Sequence, residues 1–277
     1  FRRVLFRSLN LNYSFDSEEE EENTIIMNWT TYSTSTRRMF MGCSNITEID
    51  LTYFDLTLVT LTSSMFNGCS QLTSVIFGNY DTPYLNNMNY MFCGCSSLLS
   101  LNLSMFNTTN VELMDGMFFG CSSLESLNLS NFDTSNVIKM NIMFYNCSSL
   151  EYLDVSNFDT SNVWNFTGMF AYCKKLISIN ISHFNVSKTQ SLSCLFLNCS
   201  SLISLDLSNL KTSNINYMNK MFYGCTNLIS INLTNIDTSN CKEFQSLFNS
   251  CSSLINLDLS YFSYILISSL IDSFISI

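Results

Sequence analysis

Proline, histidine and charge are scarce in this chain. Its 277 residues include one proline and one histidine, and 12% of them are charged. With His183 as the single histidine, no histidine-based acid–base pair can be built, which excludes that class of catalytic site. Acidic residues outnumber basic ones by 22 to 12, and the net charge of −10 disfavours nucleic acid as a partner. We therefore expect no enzymatic activity and no cofactor.

Long apolar runs are also missing. Apolar residues make up 47% of the chain, which is enough for a sizeable core. Residues 1–260 nevertheless contain no apolar run of about 20 residues, the length that a membrane-spanning helix requires. We expect a water-soluble fold without a membrane span in this chain.

Cysteine, in contrast, is placed with strict regularity. Nine of the 12 cysteines follow one another at an interval of 26 residues, without an insertion. These are Cys43, Cys69, Cys95, Cys121, Cys147, Cys173, Cys199, Cys225 and Cys251. A period of roughly 20–50 residues held this strictly is typical of a solenoid, in which each repeat forms one coil stacked on its neighbours. The sequence therefore predicts a single solenoid over residues 39–277.

The repeat unit, MFxGCSSLxSLxLSNFDTSNVxxMxx, divides into a strand and a turn. In LxLS, apolar and small polar residues alternate, which predicts a short strand buried on one face. After DTSN, apolar residues return at a spacing that fits one or two helical or 3₁₀ turns. The residue before the cysteine, usually glycine or asparagine, is expected to end this turn in a left-handed conformation. The predicted fold is an α/β repeat solenoid with one short parallel strand and one short helical or 3₁₀ turn per 26-residue coil.

The regular cysteines admit three interpretations. Zinc would require converging CxxC-like pairs, whereas the close pairs here are Cys93 with Cys95 and Cys194 with Cys199. Disulfides between coils are conceivable because stacked positions approach about 5 Å, but an odd-numbered row cannot pair completely. We favour a buried row of free thiols that pack as small hydrophobic side chains, and we expect no metal site.

The best candidate for a partner-binding surface is the position between the two strand leucines. We predict that seven of its residues face a partner: Asn102, Asn128, Asp154, Asn180, Asp206, Asn232 and Asp258. Asp and Asn alternate in the last five, which we interpret as a hydrogen-bonded ladder because an amide can donate to the carboxylates on either side. A ligand surface is the alternative interpretation. Flanking serines make the face small, flat and neutral, which suits a protein or a glycan better than a small molecule.

Two further positions have both a structural and a functional interpretation. The row Thr108, Thr134, Thr160, Thr212 and Thr238 is interpreted as turn-forming, with a hydroxyl array that binds ice or a polysaccharide lattice as the alternative. His183 occupies a position that asparagine fills in other repeats, so we interpret it as a surface variant.

Both ends of the chain depart from the repeat. Residues 1–38 are interpreted as a non-repeat segment, partly foreign or disordered, with an arginine-rich FRRVLFRS start and an acidic run at residues 18–22. Residues 261–277 keep the register but lose the DTSN turn. We therefore predict nine coils followed by a degenerate tenth.

The unit MFxGCSSLxSLxLSNFDTSNVxxM resembles the leucine-rich repeats of BspA-type bacterial surface proteins. It is most similar to the 26-residue variant first described in mycoplasma lipoproteins, and the resemblance covers residues 39–277. It implies a right-handed, leucine-rich-repeat-like solenoid with a parallel sheet on one face, displayed at the cell surface and linked with adhesion. A fold does not by itself determine a function, so these are expectations by analogy.

Two functional hypotheses remain open. The first is a non-enzymatic interaction and adhesion module, at the cell surface or secreted, that binds a protein or a glycan through the solenoid faces. The alternative is a cytoplasmic protein-interaction scaffold of the same fold, favoured by free thiols, which persist best in a reducing compartment.

Overall fold

The repeats stack as the coils of a solenoid. The computed structural model describes residues 3–8, 24–29 and 33–263. Strands occupy β1 (Arg3–Ser8), β2 (Thr24–Trp29), β3 (Glu48–Leu51), β4 (Ser74–Phe77), β5 (Ser204–Asp206) and β6 (Ser230–Asn232). β3 pairs in parallel with β4, and β5 with β6, each time joining residues one repeat apart. Isolated parallel bridges, such as Tyr152 with Ser178, continue the alignment in other coils. The predicted repeat solenoid is confirmed, whereas the strand predicted for every coil forms in four of the nine described coils, those of Cys43, Cys69, Cys199 and Cys225.

Two strands from residues 1–38 extend this sheet. β1 pairs in parallel with β3 on one side and with β2 on the other, giving the strand order β2-β1-β3-β4. Strand pairing depends mainly on backbone groups and tolerates many sequences, so this pairing does not test whether FRRVLFRS is foreign to the repeat array. The predicted tenth coil lies largely outside the described residues.

The predicted helical or 3₁₀ turn is wrong: the described residues contain no helix. Before each cysteine, backbone N–H groups alternate between two kinds of partner. Phe66 N–H donates to the Met91 carbonyl in the next coil at 2.8 Å, whereas Asn67 N–H donates back to Ser64 at 3.2 Å. Because every second donor reaches into the neighbouring coil, the segment is a chain of tight turns rather than an α-helix, whose donors all bond within the segment.

Left-handed residues recur twice in every coil, which explains why no helix forms. One is the residue directly before the cysteine, as predicted, and the other lies five residues before it. The first set is Gly42, Gly68, Gly94, Gly120, Asn146, Tyr172, Asn198, Gly224 and Ser250; the second is Arg38, Ser64, Tyr90, Gly116, Ile142, Gly168, Cys194, Lys220 and Ser246. Their φ angles lie between +51° and +80°. Two left-handed residues only four positions apart prevent a right-handed helix from forming across this segment.

Gly94 offers a test of this backbone conformation. Its φ is +71°, and a Cβ at this position would lie 3.5 Å from the Gly68 backbone, an ordinary contact. Gly94→Ala should therefore lower the free energy of unfolding by about 1–2 kcal/mol through backbone strain alone. Gly94→Asn should cost less, since Asn146 and Asn198 adopt this conformation in the same column. Equal losses for both variants in urea denaturation would contradict the assignment.

The core is built from side-chain columns that run the length of the array. Nine phenylalanines, each three residues before a regular cysteine, stack with ring centroids 5.2–6.1 Å apart and planes within 9° of parallel. Leu101 and Leu103, from the LxL segment of the repeat, are also buried in this core. A coil thus buries its apolar side chains against two neighbours, which a single repeat cannot do.

Candidate functional site

The predicted partner-facing residues lie on the exposed face of the repeated LxL segments, and two of them, Asp206 and Asn232, belong to strands. All seven, from Asn102 to Asp258, are exposed, while the leucine, isoleucine or valine that follows each of them points into the core in the opposite direction. Parallel pairing keeps members of successive coils next to each other, as between Asp206 of β5 and Asn232 of β6. We call this row, Asn102, Asn128, Asp154, Asn180, Asp206, Asn232 and Asp258, the strand-face column.

Each member of the strand-face column also closes a local turn. The side-chain oxygen accepts the backbone N–H two residues later, from Ser104 to Asn102 at 3.0 Å and from Ser208 to Asp206 at 2.9 Å. The same bond recurs throughout the column. This is an Asx turn, a bond that aspartate and asparagine both make, so it explains the choice of these two residue types.

The Asx turns correct the ladder interpretation. At Asp206, the Ser208 N–H and hydroxyl lower the pKa of the carboxyl, and the Asn232 side chain in the next coil lowers it further. In the other six members, the side-chain oxygen accepts the backbone N–H of the residue two positions later in its own coil. Local turn formation therefore holds these side chains, and a contact between coils adds to it at Asp206.

A groove of about 610 Å³ crosses this face in the middle of the array. Its lining includes Glu125, Asn128, Glu151, Tyr152 and Lys175, together with Ser100, Leu101, Ser126, Leu127 and Ser149. Glu125 and Glu151 occupy the same position in adjacent coils, and Tyr152, which is 63% exposed, stands where the coils on either side have serine. Sequence reasoning missed this groove, although its signal was visible: Tyr152 replaces the consensus serine, next to a variable position that holds glutamate in two successive coils.

An aliphatic row continues from the groove toward the C-terminal coils. Ile177, Ile203, Ile229 and Ile255 hold the same repeat position as Glu151, and the backbone N–H of Ile177 donates to the Glu151 carbonyl at 3.1 Å. The last three side chains are 43%, 44% and 74% exposed. We call these four residues the isoleucine stripe.

The regular cysteines form the predicted row of free thiols, and all 12 cysteines are free. Cys121 Sγ donates to the Phe92 carbonyl at 3.1 Å, and Cys147 Sγ to Phe118 at 3.2 Å, so each thiol ties its coil to the preceding one. Burial raises the pKa of these thiols, to about 12 at Cys173 and about 11 at Cys251. Among residues 3–8, 24–29 and 33–263, no three potential metal ligands converge.

Thiol reactivity should divide the cysteines into two groups. Thiolate is the reactive form, and a raised pKa keeps a buried thiol protonated at pH 8. In the native protein, iodoacetamide should therefore modify the half-buried Cys43, Cys93, Cys194 and Cys241 first. The eight buried cysteines should react only after unfolding in urea. Peptide mass spectrometry distinguishes the groups, and early modification of Cys121 or Cys147 would contradict the buried row.

The threonine row is buried, which removes the hydroxyl-array alternative. Thr108, Thr134, Thr160, Thr212 and Thr238 are each 1–2% exposed, so their hydroxyls cannot contact ice or a polysaccharide. Thr108 Oγ1 donates to the Asp133 carbonyl at 2.9 Å and accepts the Asp133 N–H at 2.8 Å. The row therefore joins the turns of successive coils.

His183 replaces asparagine both in sequence and in bonding. Its Nε2 lies 2.9 Å from the Val155 carbonyl, and the Asn157 amide makes the equivalent bond to Leu129 at 3.0 Å. The ring is exposed, as expected for a surface variant.

The repeat geometry agrees with a comparison against protein families. The family described as "Mycoplasma protein of unknown function, DUF285" matches residues 9–126, 34–152, 63–177, 114–227 and 140–262. The chain belongs to this family. The resemblance of its repeat unit to the mycoplasma variant of BspA-type repeats is thereby confirmed. No curated protein matches the chain.

Solved leucine-rich-repeat structures show a distant likeness to this family member. The T. pallidum leucine-rich repeat protein is 15% identical, with 86% of this chain and 74% of that chain covered and a TM-score of 0.31. A leucine-rich repeat protein from Eubacterium ventriosum is 16% identical, with 83% of this chain and 83% of that chain covered and a TM-score of 0.33. A leucine rich cell surface protein from Faecalibacterium prausnitzii is 16% identical, with 84% of this chain and 78% of that chain covered and a TM-score of 0.32. In the described part of this chain, no helix is suited to crossing a bilayer.

Proposed function

We propose that this chain is a non-enzymatic interaction module that binds a macromolecular partner through the strand face and acts in adhesion at the cell surface. The observation that carries the proposal is the strand-face column: seven exposed polar side chains in register on one face. The resemblance to BspA-type surface proteins supports the surface location and the adhesive role.

The strand face has the properties of a preorganised binding surface. Parallel pairing holds the backbone at Asp206 and Asn232, and the Asx turns restrict the side chains of the column, so little conformational freedom is lost when a partner binds. Small serines flank the column and leave the face open to a large partner. The exposed Tyr152 supplies an aromatic residue of the kind that dominates many protein interfaces.

Charge reversal on the strand face tests the proposal. Beads coated with the protein would be assayed for binding to immobilised extracellular matrix proteins and glycans. For any ligand that binds, Asn180→Arg combined with Asp206→Arg should lower the affinity at least tenfold. The matched control is Ser187→Arg with Ser213→Arg. It places two arginines at exposed positions of the repeat segment that corresponds to DTSN, away from the strand-face column in sequence. Equal loss in both variants, or no loss in either, would contradict binding through the strand face.

A cytoplasmic scaffold is the second candidate, and the free thiols favour it because reduced cysteines persist in a reducing compartment. Antibody labelling of intact cells, compared with permeabilised cells, separates the two locations. Surface display predicts labelling of intact cells, and the scaffold predicts labelling only after permeabilisation.

A further inference from the structure

We propose that the groove around Tyr152 binds a lysine or arginine side chain of a protein partner, whose adjoining apolar residues lie along the isoleucine stripe. This inference rests on the proposed function and names the chemistry of the partner that the strand face recognises.

The charge pattern of the groove calls for a cation. Glu125 and Glu151 are both exposed and stand in adjacent coils at the same repeat position, so their like charges repel. In the last five members of the strand-face column, by contrast, every carboxylate is separated from the next by an amide. Asp154, exposed three residues after Glu151, adds a third negative charge near the groove, and Lys175 contributes one positive charge to the lining. The net negative charge complements a basic side chain.

Tyr152 supplies a second attraction for the same group. It directly follows Glu151, and its ring is 63% exposed in a column where Ser126 and Ser178 are the neighbours. The face of an aromatic ring attracts ammonium and guanidinium groups, and the attraction strengthens when the groups are partly desolvated. An aromatic ring beside two carboxylates thus offers a basic side chain both cation–π and ionic contacts.

The isoleucine stripe determines what adjoins the basic residue. Ile177 lies one coil beyond Glu151, and the stripe runs on through Ile203 and Ile229 to Ile255. At about 4.8 Å per coil, the distance from Glu151 to Ile229 is about 14 Å, which an extended segment of roughly four to five residues spans. A partner segment with one basic residue at the groove and aliphatic residues beyond it fits both features.

Peptide selection on the folded protein tests this inference. A library of random 12-residue peptides displayed on phage would be panned against the wild type, and selected peptides would be synthesised for affinity measurement. We expect enrichment of lysine or arginine next to aliphatic residues. Glu125→Gln with Glu151→Gln should weaken these peptides at least tenfold, and Tyr152→Ser about threefold or more. Both changes keep the fold, because glutamine preserves shape and serine is the residue of the adjacent coils.

The matched control removes two charges elsewhere. Asp159 and Asp237 begin the repeat segment that corresponds to DTSN, and Asn185 makes the same Asx turn at the equivalent position, so Asp159→Asn with Asp237→Asn should preserve the fold. Peptide affinity should stay within twofold of wild type. An equal loss in the control would mean that net charge alone attracts the peptides and would overturn the inference.

The remaining outcomes separate this inference from the proposed function. The affinity of the selected peptides could fall with Asn180→Arg and Asp206→Arg but not with the paired glutamine substitutions. That result would overturn the inference and leave strand-face binding intact. If no selected peptide responds to any strand-face substitution, both the groove inference and strand-face binding of protein partners would be overturned. Binding of cellohexaose that Tyr152→Ser abolishes, without basic-peptide binding, would make the groove a glycan site and overturn the inference.

Discussion

Phe144→Ala is expected to lower the free energy of unfolding by about 3–5 kcal/mol, the range observed for deleting a buried phenylalanine side chain. Phe144 has no solvent exposure, and its ring stacks between Phe118 at 5.6 Å and Phe170 at 5.8 Å. The substitution removes contacts on both sides of one coil. Because stability in a repeat array depends on interfaces between neighbours, a substitution in a central coil weakens two of these interfaces.

Tyr152→Ala provides the aromatic control for Phe144→Ala. Tyr152 lies in the same repeat but is 63% exposed, so its removal should change stability by about 0.5 kcal/mol or less. Urea unfolding followed by circular dichroism measures both variants. Similar losses for the two, or a loss below about 1 kcal/mol for Phe144→Ala, would show that the phenylalanine column does not form the core.

Thr108→Val is expected to cost about 2–4 kcal/mol, although valine has nearly the same shape. The Thr108 hydroxyl satisfies both the carbonyl and the N–H of Asp133 in the next coil, at 2.9 and 2.8 Å. Valine leaves both backbone groups without this partner, and each unsatisfied buried group costs about 1–3 kcal/mol. The loss therefore measures how strongly a hydroxyl joins two coils.

Two controls isolate the hydroxyl of Thr108. Thr108→Ser keeps the hydroxyl and should recover most of the stability that the valine variant loses. Thr109→Val, at the exposed neighbouring position, should have an effect within about 0.5 kcal/mol. If the serine variant were as unstable as the valine variant, packing of the methyl group rather than hydrogen bonding would explain the loss.

The sequence was most informative where one side chain serves the same purpose in every coil. Cys121 and Phe118 repeat because each must fit between identical neighbours, so the period predicted both the solenoid and its buried columns. The exposure of the strand-face column was predicted equally well, since the alternation in LxLS determines which side chains face solvent, and its role in binding stays a prediction.

The helical turn was mispredicted because the spacing of apolar residues does not reveal where backbone donors go. The second left-handed position carries residues as different as Arg38, Tyr90, Ile142 and Gly168, so composition gives no sign of it. Bonds to the next coil compensate for the strained conformation of these residues. Such an arrangement becomes visible only when the coils are stacked.

The Asx turns and the groove were missed for different reasons. The Asx pattern was present in the sequence as Asn or Asp followed two residues later by Ser or Thr, but we assigned it to contacts between coils. Tyr152 replaces a consensus serine, and Glu125 and Glu151 fill a position that the consensus leaves open, so averaging over repeats hides all three. In a repeat protein, functional differences between coils are therefore best sought by comparing individual coils at the variable positions and their neighbours.

The central claim is that successive coils lie in register, with equivalent side chains in continuous internal rows. Nuclear Overhauser spectroscopy on protein with selectively labelled phenylalanine tests it most directly. We expect cross-peaks between the rings of Phe118 and Phe144 and between those of Phe144 and Phe170, and none between Phe118 and Phe170, which are two coils apart. Absence of both nearest-neighbour cross-peaks in the folded protein would contradict the stacked-coil account.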